Sequence, residues 1–189
     1  MITVIISFLN QNKLNMRKLI LMAAVAIFFA ACNNEKKESE KQTMSSVQLP
    51  YKANYSSQFN NNVSDSMVLT VLNSYKYWEN ADMNGLVSTL ADSVYFLGWD
   101  GSKTNGTRSD IMNLWTSHRD SMSKVEISVD AWTKDHSMDK NDDFVLVWYK
   151  EIDTYKTGKV DSANYADINQ LKNGKIYWYS QYRQELKKK

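Results

Sequence analysis

Apolar residues recur at helical spacing in the middle of the chain and at every second position towards its end. Val68, Val71, Leu72, Tyr75 and Trp78 fall on one helical face, with Ser64 or Ser66 placed to cap the N-terminus. Glu79-Asn80-Ala81 interrupts that face. Asp82 can cap a second, shorter helix whose apolar positions are Leu86, Val87 and Leu90. Ser93 to Trp99 predicts a strand, with Val94, Phe96 and Gly98 on one side and Tyr95, Leu97 and Trp99 on the other. Asp100-Gly101 then signals a tight turn. Thr107-Arg108-Ser109-Asp110 has the spacing of a capping box, opening a helix with Ile111, Leu114, Trp115 and His118 on one stripe.

From Val125 the period changes to two. Val125, Ile127, Val129 and Ala131 alternate with Glu126, Ser128, Asp130 and Trp132, which predicts a half-buried antiparallel strand. Phe144 to Tyr149 is apolar on both faces, as a central strand requires, and Lys140 to Asp143 and Gly158 mark turns. Lys172-Asn173-Gly174-Lys175 is an Asn-Gly hairpin signal between strands over Tyr165–Leu171 and Ile176–Tyr182. Helices first and long antiparallel strands last predict an α+β domain spanning residues 64–186.

The 189 residues exceed what that domain needs, and the surplus lies at the N-terminus. Met16-Arg17-Lys18, the apolar run Leu19 to Ala30 and the small pair Ala30-Ala31 have the three-part form of a secretory signal peptide. Residues 1–31 are therefore expected to be removed, with Met16 as the true start. Phe29-Ala30-Ala31-Cys32 resembles a bacterial lipobox, although Phe29 stands where a small aliphatic residue is usual. That resemblance implies acylation of Cys32, the only cysteine, which has no second thiol for a disulfide. Export and membrane anchoring on the outer-membrane, periplasmic or surface side follow as the expected localisation. Residues 33–48 are polar, charged and aperiodic, the composition of a disordered tether. Glu35 and Glu38 resemble a surface-export signal of Bacteroidetes-type lipoproteins. Residues 49–63 form an arm with Tyr51, Tyr55 and Phe59 at spacings of four, read as lying on the domain or as a partner surface.

Removing Lys13, Arg17 and Lys18, with no acid among the first 31 residues, takes the formal net charge from +2 to −1. Such a domain lacks the basic footprint of a nucleic-acid binder. His118 and His136 fall on different elements, so no metal set is legible, and no glycine-rich phosphate loop or other cofactor motif is present in the sequence.

DMNGLVSTLADSVYFLGWDG, Gly106 before the capped helix and the closing KNGKIYWYSQY resemble the NTF2-like superfamily, in particular its SnoaL-like branch and the small secreted lipoproteins of that type. The similarity runs from Asp65 to Arg183. It implies a cone: a strongly bent mixed or antiparallel sheet wrapped on about three helices, a pocket at the open end, and often a homodimer across the outer sheet face. Enzymes of this cone, such as ketosteroid isomerase, use a pocket carboxylate as base and facing hydrogen-bond donors. Where that pattern puts a tyrosine donor this chain has Ser74, and where it puts the base it has Gly98, with Asp100 two residues on. Asp167 falls close to the place of the second acid.

Asp167 shares an expected inward face with Tyr165, Asn169 and Leu171, so its carboxyl must be hydrogen-bonded, hydrated or raised in pKa. Trp78, Trp99, Trp115, Trp148 and Tyr179 are read either as core or as the lining of a pocket for a flat, apolar ligand. His118 is read as a core or rim residue. Three functions remain open: a binding domain for a small molecule or protein partner, an acid–base enzyme using Asp167 or Asp100 with Tyr165, Tyr149 or His118 as donors, and a structural dimer module.

Overall fold

The computed structural model describes residues 49–186. The expected signal peptide, Cys32 and the tether lie outside that range. Residues 53 onward form one unit. Its elements are β1 (Phe59–Asn60), α1 (Asp65–Glu79), α2 (Met83–Ser88), β2 (Leu90–Leu97), β3 (Lys103–Thr107), α3 (Arg108–Asp120), β4 (Met122–Ser137), β5 (Asp142–Tyr155), β6 (Val160–Lys172) and β7 (Lys175–Glu185).

The helices start where their caps dictate. Ser64 accepts from the Ser66 amide ahead of α1, Asp82 accepts from the Gly85 amide in α2, and Thr107 and Asp110 form both halves of the capping box of α3. Ala81, at φ 55°, makes the sharp break between α1 and α2. The predicted strand at Ser93–Trp99 is shifted: β2 begins at Leu90 and ends at Leu97, before the turn that Gly98 opens.

All seven strands form a single sheet in the order β1-β4-β5-β6-β7-β2-β3. Every pairing is antiparallel except β2 with β7. The β6–β7 turn carries Asn173 and Gly174 at φ 52° and 72°, the paired left-handed conformations that a two-residue hairpin needs and glycine supplies without a steric cost. α1 packs Val68, Val71 and Tyr75 into the core against Val145, Val147 and Tyr149 of β5 and Leu171 and Ile176 of the last hairpin. α3 contributes the fully buried Ile111. The architecture is the α+β cone expected, with a mixed sheet on three helices among the described residues.

Two details of the sheet correct the strand readings. A register shift between Val129 and Ala131 bulges β4, so Ala131 lies opposite Trp148 and Trp132 opposite Val147. The alternation reverses there, and Trp132 takes the side predicted for Ala131. The second detail is length. β5 runs on to Tyr155, and its buried positions continue as Val145, Val147, Tyr149, Glu151 and Asp153. At the other end of the sheet, Tyr55 and Phe59 both meet the edge of the Phe144 ring, and the Tyr55 hydroxyl donates to Asp142.

Candidate functional site

A cavity of about 450 Å³ opens between α1, α2, α3 and the inward face of β5, β6, β7 and β2. Register explains what lines it. Tyr149 lies opposite Tyr165 and Val147 opposite Asp167, while across the last hairpin Asp167 faces Gln181 and Asn169 faces Tyr179. One period-two rule along three paired strands therefore brings phenols, amides and a carboxyl to one surface.

Asp167 is 1% exposed and sits just behind the cavity wall. Its Oδ2 accepts hydrogen bonds from the Tyr75 hydroxyl at 2.8 Å and the Tyr179 hydroxyl at 2.7 Å, while Oδ1 has no partner among the described residues. Burial raises its pKa from 3.8 to about 7, against the lowering effect of Tyr179, Tyr75, Tyr149 and Gln181. The phenols of Tyr75, Tyr149 and Tyr179 are themselves pushed well up by burial and then by the Asp167 charge. Gln181 Nε2 donates to Tyr149 and Tyr179 at 3.1 and 2.9 Å, and Asn169 Nδ2 to the Val145 carbonyl at 3.2 Å. These bonds fix the donors around Asp167.

The phenol donor from α1 is thus Tyr75, one residue after the position taken from the resemblance. Ser74 lines the cavity, but its hydroxyl bonds back to the Val71 carbonyl at 2.7 Å.

The aromatic walls are stacked. Tyr149 lies on Tyr165 with centroids 5.2 Å apart, and Phe96 on Tyr179 at 5.0 Å. The Trp115 edge meets Phe96, and His118 stacks on Trp78 at 6.1 Å. Trp78, Trp115, His118, Tyr165, Asn169 and Tyr179 all line the cavity. Trp99 and Asp100 line it as well, but from an exposed turn. Trp99 is 53% exposed, with the Arg183 guanidinium 4.8 Å above its ring. Asp100 is not on the strand face expected of it, because β2 stops at Leu97. Its Oδ1 accepts from the Ser102 amide, and the Ser102 hydroxyl first and that amide second hold its pKa below the usual range, which leaves it a turn residue rather than a buried base. Trp148 is outside the cavity altogether. Neighbouring strand residues face opposite ways, so with Tyr149 inward Trp148 projects from the outer face, 41% exposed, beside Ala131 and Ala166.

Two carboxyls absent from the sequence reading complete the site. Glu151 and Asp153, 9% and 7% exposed, line the cavity from β5. Glu151 Oε1 accepts from the Trp78 indole at 3.3 Å, and Asp153 Oδ1 has no hydrogen-bond partner among the described residues. Desolvation comes first among the causes that raise the pKa of each, and the Asp153 charge adds to the rise at Glu151. Like charges two residues apart on one strand face cannot both ionise cheaply, so the pair keeps a proton that an isolated carboxylate would have lost. Among the described residues no group of three His, Cys, Asp or Glu is arranged to hold a metal ion.

Among the described residues, a mixed sheet on three helices with an aromatic-walled cavity between them makes up the cone. No family model matches the chain, and no curated protein matches it by sequence. Solved structures do. An LEH-like epoxide hydrolase from M. tuberculosis superposes with a TM-score of 0.55 at 11% identity, over 64% of this chain and 84% of that one. A ketosteroid isomerase-like protein from Erwinia carotovora atroseptica gives 0.54 at 13% identity, over 67% and 100%. An NTF2-like protein of unknown function from Exiguobacterium gives 0.53 at 13% identity, over 62% and 99%. The chain has the NTF2-like fold.

Proposed function

We propose that this is an exported lipoprotein whose cone binds a small apolar or aromatic molecule without transforming it. The observation that carries this is the cavity of about 450 Å³, a volume suited to one small ligand, with stacked aromatic walls and a few fixed polar groups. Asp167 serves such a pocket as an internal brace: its Oδ2 is held by Tyr75 and Tyr179 from inside the protein. Native mass spectrometry of protein purified from its own host is expected to show a bound molecule of a few hundred daltons, about the size such cavities take. Protein recovered only in the apo form under gentle ionisation counts against the proposal.

Acylated Cys32 would hold the domain at a membrane, and residues 33–48 would give it reach. Among the described residues no helix is long and apolar enough to cross a membrane. Cys32→Ser is expected to move the protein from the membrane fraction to the soluble fraction, because a lipobox without its thiol cannot be acylated. A mutant that stays with the membrane would refute the anchor. The outer face, with Trp148 and Tyr182 exposed, is the surface on which a homodimer would form.

One observation favours a second function, acid–base catalysis. Glu151 and Asp153 together offer a proton donor and a proton acceptor at the cavity wall, which is what a proton shuttle requires. The fold hosts chemistry elsewhere, as the epoxide hydrolase among the similar structures indicates. Under this function Glu151→Gln would abolish turnover of whatever molecule co-purifies.

A further inference from the structure

We infer that the cavity takes an organic cation, a protonated primary or secondary amine on an aromatic or apolar body, seated between the Glu151–Asp153 pair and the aromatic walls. This rests on the binding function proposed above and names its ligand class.

The charge of the lining is one-sided. Of 21 residues around the cavity three are acids, Asp100, Glu151 and Asp153, and none is lysine or arginine. Asp167 adds a carboxyl immediately behind the wall. Among the described residues Glu151, Asp153 and Asp167 have no basic partner at ion-pair distance. The arginines in this part of the domain are committed elsewhere. Arg119 donates to the Trp78, Glu79 and Met122 carbonyls, and Arg183 is paired with Asp161 and Glu185. Asp153 is more than nine-tenths buried, lines the cavity, and has one oxygen without a partner among the described residues.

A buried carboxyl without a cation either keeps a proton or accepts a cation from outside. In the empty pocket the pair keeps a proton. An ammonium head replaces it with two or three N–H donors and a full positive charge, which satisfies both carboxylates at once. Eight of the lining residues are aromatic, and a desolvated cation over such faces is held further by their negative ring faces. An anionic ligand meets carboxylates in a low-dielectric site and is excluded. A neutral alcohol finds hydrogen bonds but compensates no charge. The groups facing the pair are Trp78 of α1, His118 and Arg119 of α3, and Asp161, Tyr165 and Asp167 of β6. Of these only His118 and Arg119 are basic.

The test is calorimetric titration of the full chain in detergent with tryptamine and with its neutral isostere 3-(2-hydroxyethyl)indole. Tryptamine is expected to bind at least about tenfold more tightly. Its apparent enthalpy should vary with the ionisation enthalpy of the buffer, because the proton held by the pair is released. In Glu151→Gln/Asp153→Asn, isosteric changes that remove charge and mutual repulsion, the preference should fall to about one and the buffer dependence should vanish. Alcohol binding equal to or tighter than amine, or an amine preference that survives in the double variant, overturns the amine assignment while leaving a binding cavity. Failure of both probes to bind overturns the assignment and the binding function together.

Discussion

Raising the pH from 3.8 to about 7 is expected to cost the folded domain about 4 kcal/mol through Asp167 alone. The sign follows from which state holds the proton longer. Unfolded, the carboxyl ionises near 3.8; folded, burial keeps it protonated to about 7. The folded state therefore binds more protons throughout that window. Stability is greatest below the unfolded value, declines between the two and levels off above the folded one. Glu151 and Asp153 are raised by desolvation too, and push in the same direction. Asp110 and Asp139 at the surface are lowered by side-chain hydrogen bonds from Thr107 and Ser56, so their contribution is present above the ordinary carboxyl value and disappears on further acidification. A stability maximum on the acid side of neutrality results. Urea denaturation at half-unit pH intervals measures the slope directly, and Asp167→Asn should flatten it by about 1 kcal/mol per pH unit. An unaltered slope in that variant would mean that Asp167 ionises over the same pH range folded as unfolded.

The second large effect concerns Arg119, which is 6% exposed near the C-terminal end of α3. Nε and the two terminal nitrogens donate to the carbonyls of Trp78, Glu79 and Met122 at 2.9, 3.0 and 3.3 Å. Trp78 and Glu79 end α1, and the last carbonyls of a helix have no partner within it. A guanidinium there satisfies them and sits at the negative end of the α1 dipole. It also lies 6.0 Å from the Trp78 ring, which lines the cavity. Arg119→Met keeps the bulk but takes the side-chain donor from the Glu79 and Met122 carbonyls, while the Trp78 carbonyl keeps the Ala81 amide at 3.1 Å, and is expected to cost about 2–4 kcal/mol. Arg119→Lys should recover only a part, since a single ammonium lacks the planar fork that reaches both ends of the set. Chemical denaturation of both variants decides it: a loss below about 1 kcal/mol in the methionine variant, or full recovery with lysine, would show that the carbonyls find water instead.

The helix caps, the final hairpin and the α+β order were legible because each depends on residues close together in the chain. Thr107 with Asp110, and Asn173 with Gly174, act within four residues of each other. The site depended on register across strands, which is less local. Tyr75 was on the apolar face already read for α1, together with Val71 and Trp78, yet the resemblance directed attention to Ser74. Glu151 and Asp153 continue the inward series of Val145, Val147 and Tyr149, but charged residues after an apolar run look like a strand's solvated end. Trp148 stands out in the sequence by its size, whereas its parity with Tyr149 puts it on the outer face. The side taken by Trp132 is hidden for another reason: the bulge at Asp130 leaves no trace in an otherwise regular alternation. Nothing local in Ser117-His118-Arg119-Asp120 distinguishes Arg119 from an ordinary solvated helix end.

The parallel pairing of β2 with β7 places Leu90 opposite Ile176 and Phe96 opposite Tyr179, some eighty residues on. A ribosome has to deliver nearly the whole domain before that seam can close. Until it does, Trp115 and Phe96 have no Tyr179 to pack on, and the nascent helices present their apolar side to whatever is nearby. Premature termination anywhere before the last strand thus yields a chain with no pocket floor and an unzipped sheet margin, a product suited to proteolysis rather than to partial activity.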